Sequence, residues 1–249
     1  MPELPEIETI KLSLEPLVLG RTIEAVDVRC GKLRRPLAPA LPGSLTGRSL
    51  VGLRRRAKYL LFDLDDGACW LVHLGMSGRL LHCGGGSNFS PACHDHVVVA
   101  LSDGGRLAFN DPRRFGLMAV EKDGRSSLLA GLGPEPLDAG GFDADYLASL
   151  RRRTNRTVKE VLMDQRMVAG LGNIYTSEIL FVAGLSPRRR LGRLSREDCR
   201  RVVDATRTIL TEAIEHRGTS FSDFLDGLGR RGGYQWRRRV YGRAGEPCP

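Results

Sequence analysis

The first ten residues, MPELPEIETI, bring together groups that could carry out covalent chemistry. If Met1 is removed, the ring nitrogen of Pro2 becomes a secondary amine, which attacks an aldehyde carbon to form a cationic iminium. A free α-amino group has a pKa of roughly 7.7–8, so an appreciable fraction is unprotonated at neutral pH. Glu3 and Glu6 flank this nitrogen and suit the positive end of a helix dipole. The stretch therefore predicts either a nucleophile with an acid or base at a helix start, or an ordinary Pro- and Glu-rich helix opening.

The 249-residue chain carries a formal net charge of +9, from 38 Lys and Arg against 29 Asp and Glu. Its length allows one large domain or roughly two to three small ones. The positive balance favours a polyanionic partner, most simply nucleic acid. Four basic triplets favour one broad phosphate-binding surface: Arg54–Arg56, Arg151–Arg153, Arg188–Arg190 and Arg237–Arg239. A generic RNA or phosphate binder would also fit the charge, but it leaves the N-terminal stretch without a role.

Targeting and membrane signals are missing from the sequence. The N-terminus is acidic and has no cationic region followed by a long apolar run, so no signal peptide is predicted. No segment approaches the roughly 18 apolar residues of a membrane span. The six cysteines show no disulfide-like spacing. These features predict a cytosolic protein with reduced thiols.

The first half of the chain has the pattern of a β-rich domain behind one helix. The helix is predicted over Glu3–Glu15 and is ended by Pro16, and Leu81–Cys93 is predicted to be a loop. Short segments rich in Val, Leu and Phe, several separated by Asp-Gly turns, predict strands. They are Thr22–Arg29, Leu50–Arg55, Tyr59–Leu64, Trp70–Leu74, His96–Leu101, Arg106–Phe109 and Gly116–Glu121. This many closely spaced strands argue for a sandwich or a barrel.

The second half has a helical period. The Gly- and Pro-rich segment Gly131–Gly141 marks the boundary between the halves. Apolar residues then recur every three to four positions, which predicts helices. The segments are Phe142–Arg152, Val158–Met163, Ile174–Ala183, Ser195–His216 and Phe221–Leu228. Ser195 with Asp198 forms a capping signature for the longest one, and a Gly- and Arg-rich tail turns strand-like at Val240-Tyr241.

A series of long motifs, in order over nearly the whole chain, resembles the formamidopyrimidine-DNA glycosylase family. The motifs are MPELPE, RRRAKYLLF (54–62), HLGMSGRL (73–80), HDH (94–96), NDPRRFG (110–116), LGPEPL (132–137), GLGNIYTSEILF (170–181) and VYGRAGEPC (240–248). The resemblance implies a base-excision-repair enzyme that removes oxidised purines such as 8-oxoguanine from double-stranded DNA and cuts at the abasic site. It implies a bacterial, nucleoid-associated monomer in the cytoplasm, with no organic cofactor.

The resemblance also implies an α+β fold. An N-terminal catalytic β-sandwich with flanking helices is expected over residues 1–132, and a linker over 133–141. A helical domain with a helix–two-turns–helix motif follows over 142–228. Residues 229–249 are expected to hold a lesion-capping loop and the start of an incomplete zinc finger.

The catalytic roles that follow from the resemblance centre on Pro2. Its nitrogen would attack the sugar carbon, and Glu3 would act as the acid or base that opens the sugar. Glu6 either supports Glu3 or caps the helix, and the residues alone leave both readings open. Lys58 would donate a proton during β-elimination and touch phosphate, although in isolation it reads as a surface lysine.

Three residues match the family's void-filling set: Met76, Arg113 and Phe115. An enzyme that acts on a base in a duplex must extrude it, and apolar wedges can stack in the gap. Arg113, next to Arg114 in a turn, would donate to the orphaned base. Without the family, Met76 and Phe115 would more often be core residues.

Other residues are expected at the DNA backbone. A Gly-rich turn entering a helix offers bare N–H groups to phosphate. The phosphate-contacting residues implied by the resemblance are His94, Arg153, Arg156, Lys159, Gly172 and Asn173. His94, with Cys83 and Cys93 nearby, also allows a zinc site, but the C-x-x-C pair is missing. His96 is expected to be structural, and Glu178 is expected to anchor the N-terminal helix.

The segment Gly227–Trp236 matches the family's loop that closes over the extruded base. Thr219, Tyr234 and Gln235 are the candidate lesion-pocket residues. A Gly-rich linker without a function is the alternative.

The family pattern breaks at the C-terminus. A four-cysteine zinc finger is expected there, but Cys248 is followed only by Pro249, and one thiolate cannot build a closed zinc site. The sequence is therefore either a fragment or a shortened form, and zinc is expected only if a complete finger exists in the native protein. Without the finger we expect weaker DNA binding and a stall after β-elimination. A non-catalytic damage binder and a glycosylase for oxidised pyrimidines, like the endonuclease VIII group, remain alternative functions.

Overall fold

In a computed structural model of the chain, residues 1–86, 89–122, 126–220 and 224–249 are described. The N-terminal half contains two four-stranded antiparallel sheets, with strand orders β1-β6-β7-β5 and β2-β3-β4-β8. The strands are β1 (Ile23–Val28), β2 (Leu50–Arg56), β3 (Tyr59–Leu64), β4 (Cys69–His73), β5 (Arg79–Cys83), β6 (Asp95–Leu101), β7 (Arg106–Asn110) and β8 (Leu117–Glu121). The predicted β-sandwich is thus confirmed.

The sandwich forms because alternate apolar side chains of both sheets face one core. Phe62 of β3 stacks on Trp70 of β4, with ring centroids 4.7 Å apart, and Val97 and Phe109 contribute from the other sheet. These side chains are fully buried. A short helix, α2 (Leu41–Leu45), was not predicted; it also contributes to this core.

The first helix, α1 (Leu4–Val18), belongs to both halves of the molecule. Ile7, Ile10 and Leu14, at helical spacing, pack in the sandwich core, whereas Leu4 packs in the core of the helical half. The prediction that Pro16 ends this helix is wrong, because α1 continues for two residues and buries Val18.

The helical half contains α3 (Ala144–Leu150), α4 (Val158–Met163), α5 (Asn173–Val182) and α6 (Arg196–Glu215) around a second core. The predicted cap is confirmed: Ser195 Oγ accepts a hydrogen bond from Asp198 N (3.0 Å), and Ser195 N donates to Asp198 Oδ2 (2.8 Å). Together the halves give the predicted α+β fold. No helix in the described ranges is long and apolar enough to cross a membrane.

Three local predictions fail. Arg79–Cys83 forms strand β5 beside β7, so the predicted loop over Leu81–Cys93 begins too early. The described part of the predicted helix Phe221–Leu228, residues 224–228, is not helical, and residues 221–223 lie outside the described ranges. Val240-Tyr241 lies in a bend and turn rather than a strand. The domain boundaries at 132, 141 and 228 stay a prediction.

Candidate active site

The chain's N-terminus is docked on the turn that begins α5. Leu4 N donates to Gly170 O at 3.0 Å. The Glu3 carboxylate accepts hydrogen bonds from Gly172 N (2.6 Å) and Ile174 N (2.9 Å), so it occupies the positive end of α5. A Cβ on Gly172 would lie 2.4 Å from Glu3 Cδ. The Gly-rich turn of the sequence therefore holds a carboxylate of the protein itself.

Glu3 is almost completely buried, with 3% of its surface exposed. Burial raises the pKa of Glu3, whereas the charge of Lys58 and the hydrogen bonds from α5 act in the opposite direction. A carboxyl with a raised pKa holds its proton more readily than an ordinary glutamate. A carboxyl of this kind is suited to act as an acid or base toward a bound substrate.

Glu6 lies one helical turn further and is also buried. Its carboxylate accepts hydrogen bonds from Glu3 N (2.9 Å), Tyr175 Oη (2.5 Å) and Thr219 N (2.7 Å). Burial, and next the nearby charge of Glu3, raise the pKa of Glu6 to about 7. Glu6 thus caps the helix and also contacts the helical half. The reading in which Glu6 supports Glu3 in catalysis stays a prediction.

Lys58 is held at the turn between β2 and β3, and only 4% of it is exposed. Burial lowers the pKa of Lys58, opposed by the charges of Glu3 and Glu6. No hydrogen bond of its ammonium group occurs within the described ranges. A buried amine without a committed partner is suited to proton exchange with a substrate.

Glu135, which is distant in sequence, holds this turn in place. Its carboxylate accepts from Arg55 Nη1 (2.6 Å), Arg56 Nη1 (2.7 Å) and Ala57 N (2.6 Å). Arg56 also donates to Leu132 O at 3.0 Å. The segment predicted as a linker is therefore bonded to the hairpin that carries Lys58.

Glu3 and Lys58 line one cavity of about 450 Å³ between the two halves. Met1, which is 52% exposed, lies at this cavity, and Pro2 is buried behind it. Other lining side chains can donate to an anion; they are Arg34, His73, Asn173 and Tyr241. Burial, followed by the charges of Lys58 and Arg34, lowers the pKa of His73 to about 4, so its imidazole is neutral.

The three void-filling candidates lie on two adjacent loops. Met76 and Phe115 are each 44% exposed, which argues against the core alternative. The Arg113 guanidinium lies 4.8 Å from the Phe115 ring centroid. The exposed Arg114 follows with φ +54°.

Asp111 links these two loops and is completely buried. It accepts a hydrogen bond from Ser77 Oγ (2.9 Å) on the first loop and from Gly116 N (2.7 Å) on the second. Asp111 therefore fixes the position of the exposed side chains relative to one another.

The phosphate-contact candidates lie in different settings. His94 and Asn173 are exposed, whereas His96 is buried, with Nε2 3.0 Å from Asp111 O, as expected for a structural residue. Lys159 donates to Ser177 Oγ at 3.2 Å, and Arg156 pairs with Asp164 at 2.7 Å. Arg153 is exposed.

The lesion-pocket candidates are connected to Glu6. Thr219 Oγ1 lies 3.1 Å from Tyr175 Oη, in addition to its backbone bond to Glu6. Tyr234 is buried, with its ring centroid 5.6 Å from that of Tyr175. Gln235 Oε1 accepts from Ser220 N at 3.1 Å.

The expectation for Glu178 is wrong. Its buried carboxylate accepts from the backbone N–H groups of Arg239 (2.7 Å), Val240 (3.0 Å) and Tyr241 (2.8 Å). It therefore anchors the C-terminal segment rather than α1. Three consecutive N–H groups form a concave anion site, which this carboxylate fills.

The described side chains do not fit a metal. They contain no group of three His, Cys, Asp or Glu residues that could hold one, so Cys83, Cys93 and His94 do not form the alternative zinc site. Cys248 is exposed and is not bonded to another cysteine. The zinc finger expected from the resemblance is thus not formed by the described residues.

Comparison with known proteins agrees with this geometry. Residues 1–118 match the family model of the formamidopyrimidine-DNA glycosylase N-terminal domain, and residues 132–224 match that of its H2TH domain. The chain belongs to the formamidopyrimidine-DNA glycosylase family. It is accordingly a DNA glycosylase of DNA repair.

Several formamidopyrimidine-DNA glycosylases cover the whole chain. Those of Cereibacter sphaeroides and Xanthomonas campestris are 48% and 46% identical to it, and the match spans 90% and 91% of their lengths. The crystal structure of the MutM (Fpg) protein from Thermus thermophilus has a TM-score of 0.87 at 39% identity, covering 100% of this chain and 90% of that one. The Lactococcus lactis Fpg in complex with DNA containing an abasic site has a TM-score of 0.90 at 31% identity, covering 99% and 90%.

Sequence reasoning about this glycosylase missed several residues of the site. His73, Asp111, Glu135 and Tyr175 lie inside the family motifs, but their residue types alone indicate no role. Asp111, Glu135 and Tyr175 each bind a partner far away in sequence. The pKa of His73 depends on burial and on the charges of Lys58 and Arg34. For Glu135, the sequence signal was an acidic residue within a Gly- and Pro-rich segment. Such a residue needs a hydrogen-bonding partner when it is buried.

Proposed function

We propose that this glycosylase is bifunctional: it removes oxidised purines from duplex DNA and then cleaves the abasic site through a Schiff base on Pro2. The observation that carries the proposal is the convergence of the N-terminus, Glu3 and Lys58 on one cavity. The two acids and the amine have pKa values shifted towards neutrality, which suits proton transfer.

The first step requires that Met1 be removed, because its amide otherwise locks the Pro2 nitrogen. That nitrogen then forms a bond to C1′ of the damaged nucleotide, the bond from C1′ to the base breaks, and the base leaves with the electron pair and takes up a proton. After the nitrogen loses its own proton, the C1′–O4′ bond breaks, Glu3 protonates O4′ and the iminium forms.

The second step is strand cleavage. The iminium draws electrons from C2′, which loses a proton, and the C3′–O bond breaks with departure of the phosphate. We assign proton donation and charge stabilisation at the phosphate to Lys58, with the neutral His73 and Arg34 beside it. Hydrolysis of the iminium releases the protein unchanged.

The exposed loops of Met76, Arg113 and Phe115 would fill the space of the extruded nucleotide. Their side chains are apolar or can donate hydrogen bonds, and they project from a loop pair that Asp111 makes rigid. Arg113 would meet the base opposite the lesion. This arrangement is consistent with duplex rather than single-stranded DNA as the substrate.

Borohydride trapping tests the proposal, because reduction of the iminium gives a stable protein–DNA cross-link. We expect a cross-link on an 8-oxoguanine duplex and on an abasic duplex, with the intact mass of the protein showing loss of Met1. A matched variant with two extra N-terminal residues keeps the nitrogen in an amide and should give none.

Three results would contradict the proposal. A cross-link of equal yield from the extended variant would exclude Pro2 as the nucleophile. Damage-dependent binding without any cross-link would indicate the non-catalytic binder. Faster excision from a thymine-glycol duplex than from an 8-oxoguanine duplex would indicate the oxidised-pyrimidine alternative.

A further inference from the structure

We propose that an outer arginine patch binds the phosphates of duplex DNA flanking the lesion, outside the active-site cleft. The patch consists of five exposed arginines, namely Arg152, Arg153, Arg188, Arg190 and Arg193. The proposal rests on the proposed function, since it extends the footprint of the same DNA.

Backbone hydrogen bonds bring the two parts of the patch together. Val158 N donates to Arg189 O at 2.9 Å, and Leu191 N donates to Arg156 O at 3.0 Å. Arg190 Nη1 also donates to Asn155 O at 3.3 Å. The segments 151–156 and 188–193, distant in sequence, therefore form one surface.

The charges of this patch are not balanced by ion pairs with the residues that the structure describes. Within the described ranges, none of its five arginines has a carboxylate oxygen within 4.0 Å. The neighbouring acids are already engaged: Asp198 pairs with Arg189 (3.1 Å) and Arg201, and Asp164 pairs with Arg156 and Arg166. Glu160 is hydrogen-bonded by Thr157, which together with the charges of Arg156 and Arg190 lowers the pKa of Glu160.

The other two basic triplets form ion pairs within the protein, and one surface built from all four triplets stays a prediction. Arg54 pairs with Asp63, and Arg55 and Arg56 pair with Glu135. Arg237 and Arg239 both lie near Glu212, at 3.2 and 3.8 Å. Clustered like charges destabilise a surface. The five patch arginines have no carboxylate of the described residues within 4.0 Å, which indicates an external anion at the patch.

The patch is continuous with the predicted phosphate contacts near the active site. Arg188 lines an open groove of about 640 Å³ together with Lys159 and Asn173, and Asn173 also lines the active-site cavity. A duplex backbone that passes Asn173 and Lys159 would next meet Arg188. Guanidinium groups match phosphate geometry through paired hydrogen bonds.

The test measures binding to duplexes of increasing length with a central abasic analogue, over a range of salt concentrations. The test variant is R188Q/R193Q, because neither side chain makes a hydrogen bond within the described ranges. The control is R196Q/R200Q, which removes the same charge from exposed arginines that are paired with Asp145 and Glu197. Thermal unfolding of each variant checks that the fold is intact.

For the parent we expect affinity to rise with duplex length until the DNA covers the patch. R188Q/R193Q should match the parent on the shortest duplex and bind the longest one more weakly. On that duplex the negative slope of log affinity against log salt should decrease in magnitude by about 1.8, at ~0.9 per lost phosphate contact. The control should follow the parent at every length.

Equal binding of the parent and R188Q/R193Q at every length would overturn the inference, and so would an equal loss in the control. Borohydride trapping on the shortest duplex separates this failure from failure of the proposed function. If only the patch inference is wrong, the parent and both variants still cross-link. If the proposed function is wrong, the parent does not cross-link.

Discussion

Gly172 joins the N-terminus to the helical half because it has no side chain. The backbone N–H of Gly172 contacts the Glu3 carboxylate, and any Cβ would overlap that group. A buried carboxylate at a helix start is stable only while the N–H donors reach it. The position of Glu3 in the cavity therefore depends on a glycine 169 residues away.

We expect Gly172→Ala to lower the free energy of unfolding by about 1–3 kcal/mol, because the new methyl group displaces Glu3. Cross-linking on abasic DNA should fall by a larger factor than DNA binding. Gly43→Ala is the control, since Gly43 lies in α2 and a methyl carbon added there would meet no atom within 4 Å, so it should be neutral or stabilising by ~0.5–1 kcal/mol. For both variants, denaturant unfolding measures the change in stability and single-turnover trapping measures the change in cross-linking. A fully active Gly172→Ala protein would contradict this account.

The residue types at the N-terminus suggested a nucleophile at Pro2 with an acid or base at Glu3, whereas Lys58 was proposed only through the family resemblance. The catalytic roles of these residues stay predictions. The sequence left the role of Glu6 open and missed His73 and Asp111. The reason is physical: a raised or lowered pKa arises from burial and from neighbours that only the fold provides. Asp111, for example, gains its role from Ser77 and Gly116, which belong to two different loops.

At the scale of elements, the β2–β3 hairpin depends on Glu135. Its turn places Ala57 at φ +53°, a left-handed conformation that costs about 1 kcal/mol for a residue with a side chain. The hydrogen bond from Ala57 N to Glu135 helps to hold this conformation. Because Lys58 is the next residue, the clamp determines where its amine lies.

We expect Glu135→Gln to destabilise the protein by about 2 kcal/mol, since it removes the negative charge that pairs with Arg55 and Arg56 in a mostly buried setting. Arg55 keeps its pair with Glu8 at 2.7 Å, which limits the loss. Strand cleavage should slow more than binding weakens, because Lys58 is displaced while the other candidate phosphate contacts remain in place. Asp63→Asn provides the control on the same hairpin: its pair with Arg54 is more exposed, and the loss should stay below ~1 kcal/mol. Equal effects of the two substitutions on cleavage would contradict the role of the clamp.

An element can be predicted from the sequence when the interactions that form it lie within a few consecutive residues. The prediction of helix α6 is confirmed, because its cap, Ser195 with Asp198, is contained in four consecutive residues. The prediction that the first helix ends at Pro16 is wrong, since burial of Val18 outweighs the local preference of proline to end a helix. Strand β5 was missed because it depends on pairing with β7, a strand that follows only after β6 in the chain.

At the scale of the molecule, three buried carboxylates connect segments that are distant in sequence. Glu3 binds the start of α5, Glu6 binds Tyr175 and Thr219, and Glu178 binds the C-terminal segment. Tyr175 and Glu178 both lie on α5, so this helix is the common element. Burial raises the pKa of Glu3 and of Glu6, so the stability of the whole molecule should depend on the protonation of these two groups.

Glu6 and His73 have opposite effects on this pH dependence. The pKa of Glu6 is about 7 in the folded protein, against 4.5 as its ordinary value, so between these pH values the folded state binds more protons. Stability from Glu6 therefore falls as pH rises through that window. The pKa of His73 is about 4, against 6.5, so the unfolded state binds more protons and stability rises with pH between those values.

The parent protein should accordingly show little net change from these two groups between pH 4.5 and 6.5, because their contributions of ~1.4 kcal/mol per pH unit cancel. Glu6→Gln removes the falling contribution, so the free energy of unfolding should rise with pH across this range. His73→Gln removes the rising contribution and should give the opposite slope. Urea unfolding at half-unit pH steps measures the slopes, which are independent of the constant loss that each substitution causes. Parallel curves for the parent and Glu6→Gln would mean that Glu6 titrates in the folded protein as an ordinary glutamate, and that burial and the nearby charge of Glu3 do not raise its pKa.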